Sequence, residues 1–184
     1  PGVFISDGFG NGDYTPATLT NCTITGNSSP NGGAVRATYG GHFSIINSII
    51  YDNNTPYQVS LYQGSAGISY SDIEYGWSGS GNINLDPQFV DPGNGDYTLQ
   101  SPNSPCIDSG TADLNGDGIE DIDYVGAAPD MGAFEVGGIL GCTDPEAENF
   151  DPEANMDDGS CEYSSVSEIS VSYNTGWNMV GLPL

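Results

Sequence analysis

Oxygen-bearing side chains at alternate positions give this chain its clearest chemical signal. Asp113, Asn115 and Asp117 occupy positions 1, 3 and 5 of Asp113-Leu114-Asn115-Gly116-Asp117-Gly118-Ile119-Glu120-Asp121-Ile122-Asp123, and Gly118 falls at position 6. A calcium loop needs this pattern: hard oxygen donors on every second residue, a glycine for the sharp turn, then a backbone carbonyl at position 7. The expected ligands for Ca2+ are Asp113, Asn115, Asp117, the carbonyl of Ile119, and Asp121 or Asp123. Position 12 is Tyr124, where a paired sensor loop would place a bidentate Glu, so an isolated structural loop is expected. The plain alternative is a solvated acidic turn, because Asp also caps strands and turns well.

Other chemistry is sparse. Cys142 and Cys161 bracket a short acidic segment with little to bury, which predicts a disulfide in an oxidising compartment. A zinc site there would need further Cys or His ligands, and the segment has none. Its acids make a second calcium site and a plain acidic surface equally reasonable. Cys22 and Cys106 are expected to be free thiols, separated by too many chain layers to bridge. Asp72 and Glu74 share one face of a strand, as paired glycosidase carboxylates would, yet exposed strand acids are ordinarily just solvated. His42 has no nucleophile near it in sequence, so a Ser/His/Asp arrangement is unsupported. Tyr62, Tyr70, Tyr75 and Trp77 are candidates for a strip that stacks on neutral sugars, or for ordinary packing. No enzyme is expected.

Charge narrows the partners. The chain has 25 acidic residues and one basic residue, Arg36, for a net charge of −24. Nucleic acid is excluded as a partner, since a phosphate backbone is held by clustered Lys and Arg. No apolar run is long enough for a membrane-spanning helix. Residues 113 to 168 hold 16 of the acids, so the charge is concentrated behind a nearly neutral first half. The opening Pro1-Gly2-Val3-Phe4-Ile5 is no signal peptide and reads as the middle of something longer.

The elements that position these residues follow from an internal repeat. Leu19-Thr20-Asn21-Cys22-Thr23-Ile24, Ile45-Ile46-Asn47-Ser48-Ile49-Ile50 and Ile68-Ser69-Tyr70-Ser71-Asp72-Ile73 align at offsets of 26 and 23 residues. Short β-branched runs with this period predict a solenoid of parallel strands. Alternation points Leu19, Ile45 and Ile68 inward at one position and Ile24, Ile50 and Ile73 at another, with the small Cys22, Ser48 and Ser71 between them. Asn21 and Asn47 fall at corners, where Asn tolerates a left-handed backbone and its amide can stack on the next coil. Leu, Ile, Val and Phe together number 37, only 20% of the chain, and stacking explains how so few suffice: each coil buries its face on its neighbours.

These coils resemble the right-handed parallel β-helix proteins secreted by bacteria, those sharing repeats with polymorphic outer-membrane proteins. The resemblance spans roughly residues 1 to 135 and continues through Gly81-Asn82-Ile83-Asn84-Leu85-Asp86-Pro87-Gln88-Phe89-Val90-Asp91, Gly95-Asp96-Tyr97-Thr98-Leu99, Ser104-Pro105-Cys106-Ile107-Asp108-Ser109-Gly110 and Asp130-Met131-Gly132-Ala133-Phe134-Glu135. The loop at 113 to 123 is similar to a dockerin loop, and the Cys-bracketed segment resembles Gly-Cys-Thr-Asp to Asp-Asp-Gly-Ser-Cys units of secreted marine bacterial proteins. The expected fold is all-β: a right-handed parallel β-helix (solenoid) with a C-terminal cap, then a small disulfide-stapled acidic module and a terminal strand. Its divisions are coils at 1–76, a capping segment with the calcium-type loop at 77–136, the Cys module at 137–163, and the first strands of an incomplete domain, or an exchangeable strand, at 164–184. Residues 77 to 112 are expected to close the open end of the stack, and the first coil to lie uncapped, completed by further coils or a neighbouring molecule.

The implied role is an extracellular structural or adhesive protein at a bacterial cell surface, stabilised by calcium, with self-association into a filament by end stacking or strand exchange, or contact with the cell surface or extracellular matrix. A β-helix that binds or cleaves a neutral polysaccharide is the alternative.

Overall fold

The computed structural model of the chain describes residues 3–6 and 16–164. The repeat becomes three stacked coils. The first contains β1 (Val3–Ser6), β2 (Ala17–Thr20) and β3 (Thr23–Ile24); the second β4 (Gly33–Thr38), β5 (His42–Ile46) and β6 (Ile49–Ile50); the third β7 (Tyr57–Tyr62), β8 (Ser65–Ser69) and β9 (Asp72–Ile73). They form three parallel sheets, ordered β1-β4-β7, β2-β5-β8 and β3-β6-β9, so the chain is a β-solenoid.

Register follows the sequence repeat. Leu19 pairs with Ile45 and Ile45 with Ile68; Ile24 pairs with Ile50 and Ile50 with Ile73. Ile45, Ile50, Ile68 and Ile73 are buried with Val35, Ala37 and Phe43 in one core. A one-residue slip would turn every one of these side chains outward, which is why the period-2 pattern fixes the stacking.

Corners are made by residues in the left-handed region. Asn21 (φ 49°), Asn47 (φ 50°) and Tyr70 (φ 47°) are stacked equivalents, as the two asparagines predict. One residue on, the small side chains form a hydrogen-bonded ladder: the Cys22 N–H donates to Ser48 Oγ (3.1 Å), and the Ser48 N–H to Ser71 Oγ (3.0 Å). The Ser71 N–H continues to Asn82 Oδ1 (3.0 Å), and each serine hydroxyl donates to the carbonyl two residues before it. A small side chain is needed there because it must satisfy the backbone of the coil before it.

Two expectations need correction. The Asn47 amide does not stack on the coil above; it donates to the Thr111 carbonyl and accepts the Thr111 N–H, both at 2.8 Å. The amide ladder lies further along, where the Asn27 N–H and side chain both donate to Asn53 Oδ1. Nor does the segment after the coils simply close the end. Only the stretch around residues 80 to 84 does so, through Tyr70 N–H to the Ser80 carbonyl (2.8 Å) and Ile83 N–H to the Ser71 carbonyl (3.0 Å).

The remainder wraps the side of the stack. A hairpin of β10 (Phe89–Asp91) and β11 (Asp96–Leu99) leads into residues 104 to 136. Ile49 and Ile50 are adjacent and therefore face opposite ways: Ile50 enters the solenoid core, while Ile49 packs outside it with Leu99, Cys106 and Met131 in a second core. Lateral docking buries Ile49, which closing the end would leave exposed. Gly132 permits the approach: at φ +100° it lies so near Ile49 and Thr23 that a Cβ would meet each at 2.8 Å. Beyond the wrap, β12 (Leu140–Gly141) pairs with β13 (Met156–Asp157) inside the Cys module. The expected strand within 164–184 lies outside the described residues, apart from Ser164.

Candidate functional site

The calcium-type loop grows out of the wrap at a point bound to the solenoid. Thr111 is held by Asn47, the Gly110 N–H donates to the Pro129 carbonyl (2.7 Å), and the Gly132 N–H to the Asn47 carbonyl (2.8 Å). The Ala133 N–H reaches Thr23 Oγ1 in the coil before (3.0 Å). The loop base is closed by the Asp121 N–H on the Ala112 carbonyl (2.8 Å).

Within the loop, Asp113 gathers backbone donors: Gly116 and Asp117 N–H on Oδ1 (2.6 and 3.2 Å) and Gly118 N–H on Oδ2 (2.8 Å). These bonds, that from Gly118 foremost, hold the carboxyl below the ordinary Asp range. Asn115 Oδ1 accepts the Asp117 N–H, Asp117 Oδ1 the Ile119 N–H, and Asp121 Oδ2 the Leu114 N–H. Gly118 has φ +86°, the sharp turn expected at position 6. Asp113, Asn115, Asp117 and Asp121 thus share one hydrogen-bonded knot, with Ile119 exposed beside it. Asp123 instead lines a cleft of about 290 Å³ with Phe134, Leu140 and Met156, between the wrap and the Cys module.

The donor set suits a hard cation: every candidate ligand atom is oxygen, and an oxygen accepting one N–H keeps a lone pair, which for Asp113 leaves Oδ2, since its Oδ1 already accepts two. Among the described residues, no three His, Cys, Asp or Glu side chains are clustered as a preformed metal cage. Order in the loop comes instead from its own backbone donors.

Asp72 overturns its reading as a solvated strand acid. It is 0% exposed, because Leu85 and Cys106 of the following segment cover it. Oδ1 accepts the Leu85 N–H (3.2 Å), and the Cys106 thiol donates weakly to Oδ2 (3.5 Å). Burial raises its pKa from 3.8 to about 6, with Asp86 and Glu74 adding repulsion. Cys106 is itself pushed up, by burial first and then by Asp72, and remains a thiol. Glu74 parts from it and accepts bonds from the Gln58 side chain and the Asp52 N–H.

A second set of carboxylates shapes the wrap and was not singled out from sequence as a site. Asp130 accepts the N–H groups of Asp108 (2.8 Å) and Val136 (2.7 Å); Glu135 accepts those of Val125 (3.0 Å) and Asp130 (2.9 Å). Both pKa values are raised, mainly by burial. The available signal was the acid spacing around Asp108 and Asp130-Met131-Gly132-Ala133-Phe134-Glu135, which alone looks like ordinary surface charge.

Other candidates separate. His42 Nδ1 lies 2.8 Å from Ser65 Oγ one coil on, a pair invisible in sequence, and among the described residues no carboxylate is hydrogen-bonded to this histidine. The four aromatic candidates do different things: Tyr62 sits edge-on to Tyr39, Tyr70 lies under Gly81, Trp77 packs on the solenoid core, and Tyr75 is exposed. Cys22 and Cys106 are free thiols, and Cys142 is bonded to Cys161. In that module the duplicated Asp-Pro-Glu-Ala forms two like turns, Asp144 accepting the Glu146 N–H and Asp151 the Glu153 N–H, each at 2.9 Å.

No family model and no solved structure matches the chain. Two curated proteins share a short stretch with it. They are the chloroplastic ribulose bisphosphate carboxylase/oxygenase activases of Spinacia oleracea and of Oryza sativa subsp. japonica, each 46% identical over 52 residues. The stretch covers 28% and 27% of this chain and 11% of each activase, so the chain spans about a tenth of the relatives it matches.

Proposed function

We propose that the chain is a structural or adhesive module of a secreted bacterial surface protein, of the parallel β-helix kind, in which calcium at residues 113 to 123 fastens the wrap to the solenoid. One observation carries this: the loop springs from Thr111 and Ala112, and Thr111 is bonded through both amide atoms of Asn47 to the corner of the second coil. An ion that orders the loop therefore also orders the segment bound across two coils. Asp113, Asn115, Asp117, Asp121 and the Ile119 carbonyl would hold it. Asp123, facing the cleft, is the least suited of the expected ligands. The Cys142–Cys161 disulfide supports an oxidising, extracellular setting.

The test is thermal unfolding with calcium and with chelator. A loop binding calcium at about 0.1 mM, in about 10 mM calcium, gains about 2.7 kcal/mol. A clear fall in Tm on chelation is expected, and it should be absent in Asp113→Asn; an unchanged melt rejects the ion. A second reading, binding of a neutral polysaccharide, is favoured by a lateral groove of about 540 Å³ that combines Tyr97 and Phe134 with Thr23, Thr25 and Asn27. Rings for stacking and hydroxyl or amide groups for sugar hydroxyls occur there together. Binding on an array of neutral glycans, lost in Tyr97→Ala, would favour it.

A further inference from the structure

Between Asp52 and Asp72 the chain carries no charged residue, and β7 lies in the middle of that run. It is the outer strand of its sheet, and among the described residues no strand lies on its far side. The segment around residues 80 to 84 caps the neighbouring part of the same coil, and among the described residues no backbone group is hydrogen-bonded to the far edge of β7.

Side-chain exposure follows from this. Ala37 is fully buried, whereas Leu61, its partner in register one coil on, is 39% exposed. Tyr57, opposite Gly33, is 65% exposed, and Tyr62 at the strand end is 51% exposed. Leu61 shares the inward side of the wall with buried Val59, so its exposure is that of a core left open at its end. Exposed edges are normally guarded by charge, proline or a bulge. The strand Tyr-Gln-Val-Ser-Leu-Tyr has no charge or proline and pairs with β4 without interruption.

We propose that β7 is a self-association edge: two copies pair β7 against β7, antiparallel about a two-fold axis, burying Tyr57, Leu61 and Tyr62 of each. A second copy fits because of charge. Two chains of net charge −24 repel wherever acidic segments meet, whereas β7 itself has no charged residue and its charged neighbours are one of each sign, Glu74 on the Gln58 side chain and Arg36 in register with Ser60. An isologous pair closes on itself, so the product is a dimer and not a filament. One six-residue edge buries less than the ~800 Å² per partner of a standard interface, so the dimer is expected to be weak and strengthened by salt. It rests on the structural role proposed above and narrows the self-association expected from sequence. The calcium-dependent melt is readable on monomer and dimer alike, so the two fail separately.

The test is sedimentation velocity of the full chain, from about 10 µM to about 1 mM in high salt, alongside Leu61→Lys and Tyr57→Lys at exposed positions. Each lysine puts a charge into surface that the pairing takes out of water, a cost that high salt does not remove. The expected result is a concentration-dependent dimer that weakens at least tenfold in each variant while Tm is unchanged. A monomer at every concentration, or a dimer indifferent to both substitutions, overturns the proposal. Slow amide exchange at residues 57–62 in dilute monomer also overturns it, because another part of the same chain would then cover the edge. If one lysine variant misfolds, the other decides.

Discussion

Replacing Asp72 by Asn should stabilise the protein at neutral pH and leave it unchanged in acid. Asp72 is fully buried, and its contacts are one backbone N–H and one thiol. The only Lys or Arg in the chain, Arg36, lies on β4 of a different sheet. Its pKa is about 6 in the folded protein against an ordinary 3.8. Between those values the folded state holds a proton that the unfolded state has released. The stability tied to this proton is complete below about pH 4, falls as pH rises, and is lost above about pH 6 to 7. A gap of about two units corresponds to about 3 kcal/mol. Asn is neutral throughout and keeps an oxygen for the Leu85 N–H, so it avoids the loss. Urea unfolding of both proteins at intervals from pH 4.5 to 8 measures it. Subtracting the curves removes the general relief of charge repulsion as other carboxylates protonate. The difference should grow from about 1 kcal/mol at pH 4.5 to about 3 kcal/mol in favour of Asn at pH 8. Parallel curves, or a difference favouring Asp at high pH, would refute a buried carboxylate without a counter-charge.

Two further substitutions probe the stack and the wrap. Ile50→Ala removes a fully buried side chain registered between Ile24 and Ile73, and should cost about 2–5 kcal/mol in urea unfolding; a cost below ~1 kcal/mol would mean that the coils are not packed in this register. Asn47→Ala leaves both backbone groups of Thr111 without their partner. A loss of about 1–3 kcal/mol is expected, with faster amide exchange at Thr111 and Gly132, and unaltered exchange there would disprove the clamp.

The solenoid was legible because its determinants are local and periodic. Ile45, Ile50, Ile68 and Ile73 repeat with their coils, and Ser48 and Ser71 mark the same corner, so alignment alone gives the register later seen in the sheets. The Cys142–Cys161 bridge was legible for a similar reason: two cysteines enclose a segment too small to hold itself together. The wrap has no period. That Ile49 faces a second core depends on Met131 and Cys106, far along the chain, and alternation predicts only that it points away from Ile50. Asp72 was misjudged on the same ground: Cys106, 34 residues later, removes it from water. Asn47 fitted a corner equally well whether its amide stacked or reached outward. The loop at 113 to 123 was readable as a pattern of donors, while its attachment through Thr111 to the second coil was not.

Amide hydrogen exchange with and without calcium tests most directly whether the loop fastens the wrap to the solenoid. The diagnostic amides lie outside the loop: Thr111 and Gly132, bonded to Asn47, and Ala133, bonded to Thr23. Slower exchange at these positions in calcium than in chelator, with β5 and β8 unaffected, is the predicted result. Equal exchange in both conditions, or slowing confined to residues 113 to 123, would contradict it.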